Sequence, residues 1–235
     1  MPFDFIALQH YSISYTDLFN EINSHKILDD SNIQTEYLLL WMNKLYDLDK
    51  FITGQLSTEK SIKEMQMKLG PQREIFQSEI NFNCARILLH FRVSFANQII
   101  APYKSQSQHI PVEEFLKKDS EFKWTPVDTN ISSYSSATDP IIIVPFLNKQ
   151  HKYLIIDGNH RLTYKTQNNT GNVEAIIISE QTVLDFSLFS SGFDKYYYIM
   201  NNEIDRMAYQ TKHSGAKAYD LVQKSYLKEG ILQLC

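Results

Sequence analysis

Hydrophobic positions in the first hundred residues recur at three- and four-residue spacings, the period of a helix with one buried face. Between residues 35 and 52 the stripe is Tyr37, Leu38, Trp41, Leu45, Leu48 and Ile52, with Gly54 placed as a stop. A second helix is expected after Ser57, carrying Ile62, Met65 and Leu69 and ending at Gly70-Pro71. A third is expected from Gln72 to Ile100, where Ala101-Pro102 closes it; its stripe is Ile75, Phe76, Ile80, Ile87, Leu88, Phe91 and Phe95. Core packing, not ligand binding, is the expected use of these stripes.

The pattern changes at 103–109, where Tyr-Lys-Ser-Gln-Ser-Gln-His reads as a linker. A short segment at 110–116 and a polar stretch ending at Ser136 lead into Ile-Ile-Ile-Val-Pro-Phe-Leu at 141–147, a continuous apolar run rich in β-branched residues. Asn148-Lys149-Gln150 is a turn and Tyr-Leu-Ile-Ile at 153–156 a second strand, so the pair predicts a hairpin. A short helix over 160–168, a stop at Asn169-Thr170-Gly171 and a strand over 173–179 follow. Helical spacing returns after 181, over 193–207 and 215–227. The expected class is α+β: a small mixed-sheet unit over 108–180, between a helical region at 1–102 and a C-terminal helical region at 181–235 that packs on it.

Composition narrows the function. With 43% hydrophobic and 21% charged residues the chain reads as an ordinary globular protein. A net charge of −4 offers no general attraction to polyanions, which disfavours DNA as a partner. Two cysteines, Cys84 and Cys235, make neither a disulfide framework nor a zinc-ligand set, which points to a reducing cytoplasm. The start MPFDFIALQHYS lacks a signal peptide's basic and apolar regions, and no apolar stretch is long enough for a membrane span.

Candidate chemistry concentrates where the second strand meets the short helix, at Asp157-Gly158-Asn159-His160-Arg161. The first amides of a helix have no intrahelical partners, and the helix dipole adds partial positive charge, so a strand-to-helix turn suits an anion. Gly158 permits a tight turn and close approach of a phosphate to the backbone. Arg161 can fork onto phosphate oxygens, His160 can donate a hydrogen bond or move a proton, and Asp157 can hold a metal ion, orient His160 or cap the helix. The same residues also make ordinary turn chemistry, with Asp157 as a plain cap and His160 and Arg161 as surface groups.

The context of that turn resembles the ParB/sulfiredoxin superfamily. Asp-Gly-Asn-His-Arg is similar to the Asp-Gly-x-His-Arg form of its phosphate-binding signature, as in ParB-like proteins and free-serine kinases. The run Thr138-Asp139-Pro140-Ile141-Ile142-Ile143-Val144 resembles the polar-Pro-Ile-x-Val strand that leads to it. The likeness covers about 108–180, under a third of the chain. Asn159 stands where sulfiredoxins carry cysteine, which counts against their repair chemistry, and no DNA-reading helical domain like that of partition proteins is evident. The resemblance implies a nucleotide-binding enzyme that hydrolyses or transfers a phosphate of ATP, ADP or CTP with Mg2+ to a small-molecule or protein acceptor. Gly158, Asn159, His160 and Arg161 would hold phosphate and Asp157 the metal. It also implies an acidic residue from an earlier segment as base, for which Glu113 and Glu114 are candidates, although Glu-Glu is equally how a short helix begins. The alternative is a non-catalytic nucleotide- or DNA-binding regulatory module.

Other features carry less. Thr211-Lys-His-Ser-Gly-Ala-Lys217 lacks phosphate-loop spacing and reads as a polar turn before the last helix. His90 lies among apolar residues as a satisfied, partly buried histidine, and Cys84 reads as a small core residue on a helix. Tyr196-Tyr197-Tyr198 cannot share one helix face, so a mixture of core and surface use is expected.

Overall fold

A computed structural model describes residues 2–69, 74–128, 131–168 and 171–227. In chain order the elements are β1 (Phe3–Asp4), β2 (Gln9–His10), α1 (Tyr15–Asn23), α2 (Ser31–Gln55), α3 (Glu59–Leu69), β3 (Ile75–Asn81), β4 (Arg86–Arg92), α4 (Val93–Ile100), β5 (Gln108–Pro111), α5 (Glu113–Leu116), β6 (Phe122–Lys123), β7 (Ile141–Pro145), β8 (Tyr153–Asp157), α6 (Asn159–Gln167), β9 (Asn172–Ile177), α7 (Glu180–Asp185), α8 (Gly192–Ser214) and α9 (Ala218–Gln223). The class is α+β, as the sequence predicts. The chain forms two compact units from interleaved stretches: one from Met1–Leu69, Gln77–His90 and Phe189–Cys235, the other from Gly70–Phe76 and Phe91–Leu188.

In the first unit α2 is the spine. Asp30 caps it, its carboxylate accepting from the Asn32 and Ile33 amides at 2.8 and 3.1 Å. Its buried stripe includes Tyr37, Leu38, Trp41, Leu45 and Ile52, as the spacing predicts. The helix runs one residue past Gly54. The expected stop of the next helix at Gly70-Pro71 lies outside the described residues. Glu203 of α8, in the same unit, is buried. Its carboxylate accepts from the Tyr37 and Ser225 hydroxyls, both at 2.8 Å, and from the Tyr226 amide at 2.6 Å.

The helix expected over 72–100 does not form. Its span holds the paired strands β3 and β4, and only 93–100 is helical. The Phe82 amide donates to the Ala85 carbonyl at 2.8 Å, closing the turn between the strands. Ile87, Leu88, Leu89, His90 and Phe91 are all fully buried. An unbroken buried run is what a strand covered on both faces requires, and it also fills any helical template. Cys84 therefore lies in a turn, half-buried, its thiol donating to Glu21 Oε2 at 3.3 Å. His90 is wholly buried, with Nδ1 3.2 Å from Asp194 Oδ1 and Nε2 2.9 Å from Gln77 Oε1. Tyr197 and Tyr198 are buried while Tyr196 is half-exposed beneath the Lys44 ammonium, the expected mixture.

The second unit is built on a mixed five-stranded sheet of order β5-β9-β7-β8-β6. β5 pairs antiparallel with β9, β9 parallel with β7, β7 antiparallel with β8, and β8 parallel with β6. The β7–β8 hairpin is the predicted one. Its turn is fixed by Asn148, whose side-chain oxygen accepts from the Gln150 and His151 amides at 2.9 and 2.7 Å. Ile141, Ile142, Ile143 and Val144 of the central strand are each fully buried, so both faces of β7 are covered. Leu162 of α6 joins Ile141, Ile143, Ile155, Val173 and Ala175 in one cluster, which lays α6 on that face of the sheet. The stretch expected as a linker is structured: Ala101–Gln106 is a 3-10 helix and His109 lies within β5. Among the described residues no helix is long and apolar enough to cross a membrane.

Candidate functional site

All five residues of the turn lie in the second unit, at the carboxyl end of β8. The strand stops at Asp157, Gly158 adopts φ +89°, and α6 starts at Asn159. Two constraints make position 158 glycine. The left-handed backbone disfavours any side chain, and a Cβ there would overlap Ile141 Cγ2 and stand 2.9 Å from both Ile141 Cβ and Arg161 Nη2. No side chain caps the helix. The Gly158 amide donates to Asp157 Oδ1 at 2.7 Å, and Leu162 N donates to Gly158 O at 2.8 Å as the first intrahelical bond. The amides of Asn159, His160 and Arg161 lie ahead of that bond, where a helix has no internal acceptors to offer.

Arg161 folds back over the start of its own helix. Its Nη2 donates to Asp157 Oδ2 at 3.1 Å and to the Pro140 carbonyl at 3.3 Å. Its Nε is buried with no hydrogen-bond partner among the described residues. A guanidinium above a helix N-terminus adds to the dipole's positive end instead of opposing it. Asp157 offsets that charge but is itself fully engaged, since Oδ2 also accepts from Asn97 Nδ2 at 3.3 Å. No hydrogen bond joins Asp157 to His160. The imidazole stacks instead on Tyr134, with centroids 5.1 Å apart and planes at 24°.

Asn159 faces inward. Its side-chain oxygen accepts from the Thr125 amide at 2.9 Å, and its amide donates to the Ile155 carbonyl at 3.3 Å. One turn later Thr163 accepts from the Val127 amide at 3.0 Å. The two side chains staple the 125–127 segment to α6, so Asn159 offers a ligand only its backbone amide.

Beside the turn, a cleft of about 170 Å3 is lined by His109, Asp139, Arg161, Lys165 and Glu174 among others. Arg161 and Lys165 stand one helical turn apart on α6, and His109 faces Glu174 across the β5–β9 ladder. Glu113 and Glu114 open α5 and are not among the cleft's lining residues. The Glu114 carboxylate is bound by Lys117 at 2.6 Å, and Glu113 is exposed.

Sequence reasoning missed Asn97, Tyr134 and the Asp139–Lys165 side of the cleft. Lys165 carried a usable signal, four residues after Arg161 on the same helix face. Asn97 and Tyr134 carried none, because tertiary folding alone brings them to the turn.

The residues present fit an oxyanion better than a protein-held metal. Both Asp157 oxygens are occupied by donors, and among the described residues no group of three His, Cys, Asp or Glu side chains comes together to hold a metal ion. Comparison with known proteins finds no family model, curated protein or solved structure that matches this chain.

Proposed function

We propose that this protein binds a nucleotide through its phosphates at the start of α6 and hydrolyses the nucleotide or transfers a phosphate from it. The observation that carries the reading is Arg161 lying over an uncapped helix start whose glycine admits no side chain. Phosphate oxygens would meet the amides of Asn159, His160 and Arg161 from one side and the guanidinium from the other. Binding there replaces partial charges that now face no acceptor with charge-assisted hydrogen bonds. His160, held by Tyr134, is the side chain placed to donate to a bound phosphate or to move a proton. Mg2+, where the reaction uses it, would arrive on the nucleotide, since Asp157 serves to orient Arg161 instead of holding a metal. Similarity to the ParB/sulfiredoxin signature supports the same reading.

A second reading, binding without phosphoryl transfer, rests on a specific observation: neither base candidate, Glu113 nor Glu114, lines the cleft beside the turn, and Glu114 is paired with Lys117. Thermal shift with ATP, ADP, CTP and GTP, with and without Mg2+, tests the shared premise. A nucleotide raises the melting temperature of the wild type, and Arg161→Ala abolishes that rise. Product analysis of the hit then separates turnover from binding. A panel with no shift, or a shift indifferent to Arg161→Ala, rejects both readings.

A further inference from the structure

Another cleft lies within the first unit, where His10 of β2 and Tyr15 of α1 meet α2. It encloses about 260 Å3, and its lining includes His10, Tyr15, Tyr46, Asp49, Lys50 and Thr53. Asp49 is only 8% exposed, and both of its carboxylate oxygens are occupied. Oδ2 accepts from the Tyr15 hydroxyl at 2.9 Å, while Oδ1 accepts from the Thr53 hydroxyl at 3.1 Å and lies 3.3 Å from His10 Nε2. Burial and the Asp49 charge push the Tyr15 phenol up, which keeps it a donor.

These contacts fix the imidazole. An ionised carboxylate has only acceptors to offer. Thr53 gives its one hydroxyl proton to Asp49 and turns a lone pair toward Nε2 at 3.0 Å. The ring proton therefore sits on Nε2, and the lone pair of the neutral ring sits on Nδ1. Nδ1 has no hydrogen-bond partner among the described residues, and the His10 side chain is 31% exposed. One nitrogen is pinned on a buried carboxylate and the other is left for a ligand.

Charge and shape select that ligand. Lys50, exposed beside Asp49 on α2, makes no ion pair or hydrogen bond among the described residues. The charged and titratable groups lining the cleft with His10 are thus Asp49, Lys50, Tyr15 and Tyr46. With His10 protonated, the site holds two cations and one anion, so a monoanion balances it. Two donors, Nδ1–H and the Lys50 ammonium, match the two oxygens of a carboxylate, whereas a phosphate would leave oxygens unbonded. Tyr15 and Tyr46 stand edge to face, with centroids 5.6 Å apart and planes at 85°, a wall that suits a planar apolar body. The volume is below the roughly 300–1,000 Å3 of pockets for drug-sized molecules, so the occupant is small.

We infer that this cleft is a second ligand site that takes a small aromatic carboxylic acid, its carboxylate on His10 Nδ1 and Lys50 and its ring on Tyr15 and Tyr46. The inference is independent of the nucleotide site. Titration of the full chain with phenylacetate at about pH 6, where an ordinary histidine is mostly protonated, tests it by NMR. Acetate and 2-phenylethanol serve as the two halves of the probe. Phenylacetate binds and shifts the His10 and Tyr46 ring signals, and each partial probe binds about tenfold more weakly or worse. His10→Gln, which keeps an amide donor for Asp49, and Lys50→Met each bring phenylacetate down toward the alcohol and leave the alcohol unchanged. Position 50 is exposed and unbonded, so Lys50→Met melts like the wild type. Phenylacetate that fails to saturate at millimolar concentration, an acid and alcohol that bind alike, or undiminished phenylacetate binding by Lys50→Met would each overturn the inference.

Discussion

Replacing Gly158 with alanine tests the geometry on which the site depends. Two separable costs meet there. An L-residue held in the left-handed region costs roughly 1–2 kcal/mol. The new methyl also overlaps Ile141 Cγ2, and relieving that overlap means displacing β7 or the helix start, an overpacking cost of roughly 1–3 kcal/mol. Gly158→Ala should therefore lose about 2–5 kcal/mol, large for one methyl group. Ile141→Ala separates the two costs. Alone it empties a fully buried site and destabilises by about 2–5 kcal/mol. Combined with Gly158→Ala it removes the overlap with Cγ2 and leaves the backbone strain, so the double variant should be about 1 kcal/mol or more better than additive. Urea unfolding reads this cleanly in a Trp41→Phe background, where the remaining Trp124 packs against the core cluster of the second unit. A Gly158→Ala loss below about 1 kcal/mol would refute the backbone argument. Additivity within about 0.5 kcal/mol would refute the packing argument.

Asn159→Ala strands the Thr125 amide, so the second unit loses about 1–3 kcal/mol and Thr125 exchanges its amide hydrogen faster, while nucleotide affinity changes little. Unchanged exchange at Thr125 would sink the staple. Glu203 gives a pH prediction. Burial holds its carboxyl above the usual 4.5, outweighing the donors Tyr226, Ser225 and Tyr37. The folded state thus binds this proton more tightly than the unfolded chain does. The stabilising share is full below 4.5 and fades as pH rises through the folded-state value. Melting temperature measured over that interval should fall with pH less steeply in Glu203→Gln than in the wild type. Parallel curves would show that Glu203 is not the group responsible.

The sheet unit was legible because its signals were local. A run of β-branched residues, an Asn turn and a second apolar run leave a hairpin as the main option, and Asp-Gly marks where the strand must end. The segment over 72–100 misled because Ile87 to Phe91 is apolar at every position and therefore has no period of its own. Only the turn residues Asn83 and Cys84 hint that the chain reverses, and polar residues inside a helix are common enough to hide them. The candidate site was legible in the same partial way. Sequence places Asp157, Gly158 and Arg161 together, since four residues across a helix start are always close. It does not tell which way Asn159 points, because that depends on Thr125 arriving 34 residues earlier in the chain.

That division bears on what the turn can do. The side chains that face the protein, Asn159 and Asp157, spend their hydrogen bonds holding the loop, Asn97 and Arg161 in place. What remains directed at a ligand is the backbone of α6 and the guanidinium above it. Such a site is stiff, because moving Arg161 costs the Asp157 pair and filling position 158 costs the fit against β7. Both Asp157 oxygens are held by donors, so chemistry at a bound phosphate would draw its proton acceptor from His160, from the neighbouring cleft that His109 lines, or from the acceptor substrate. His160 therefore separates the two functional readings. If turnover occurs, His160→Gln should lower the rate while leaving nucleotide binding in place, whereas a binding module would show no rate for the substitution to change.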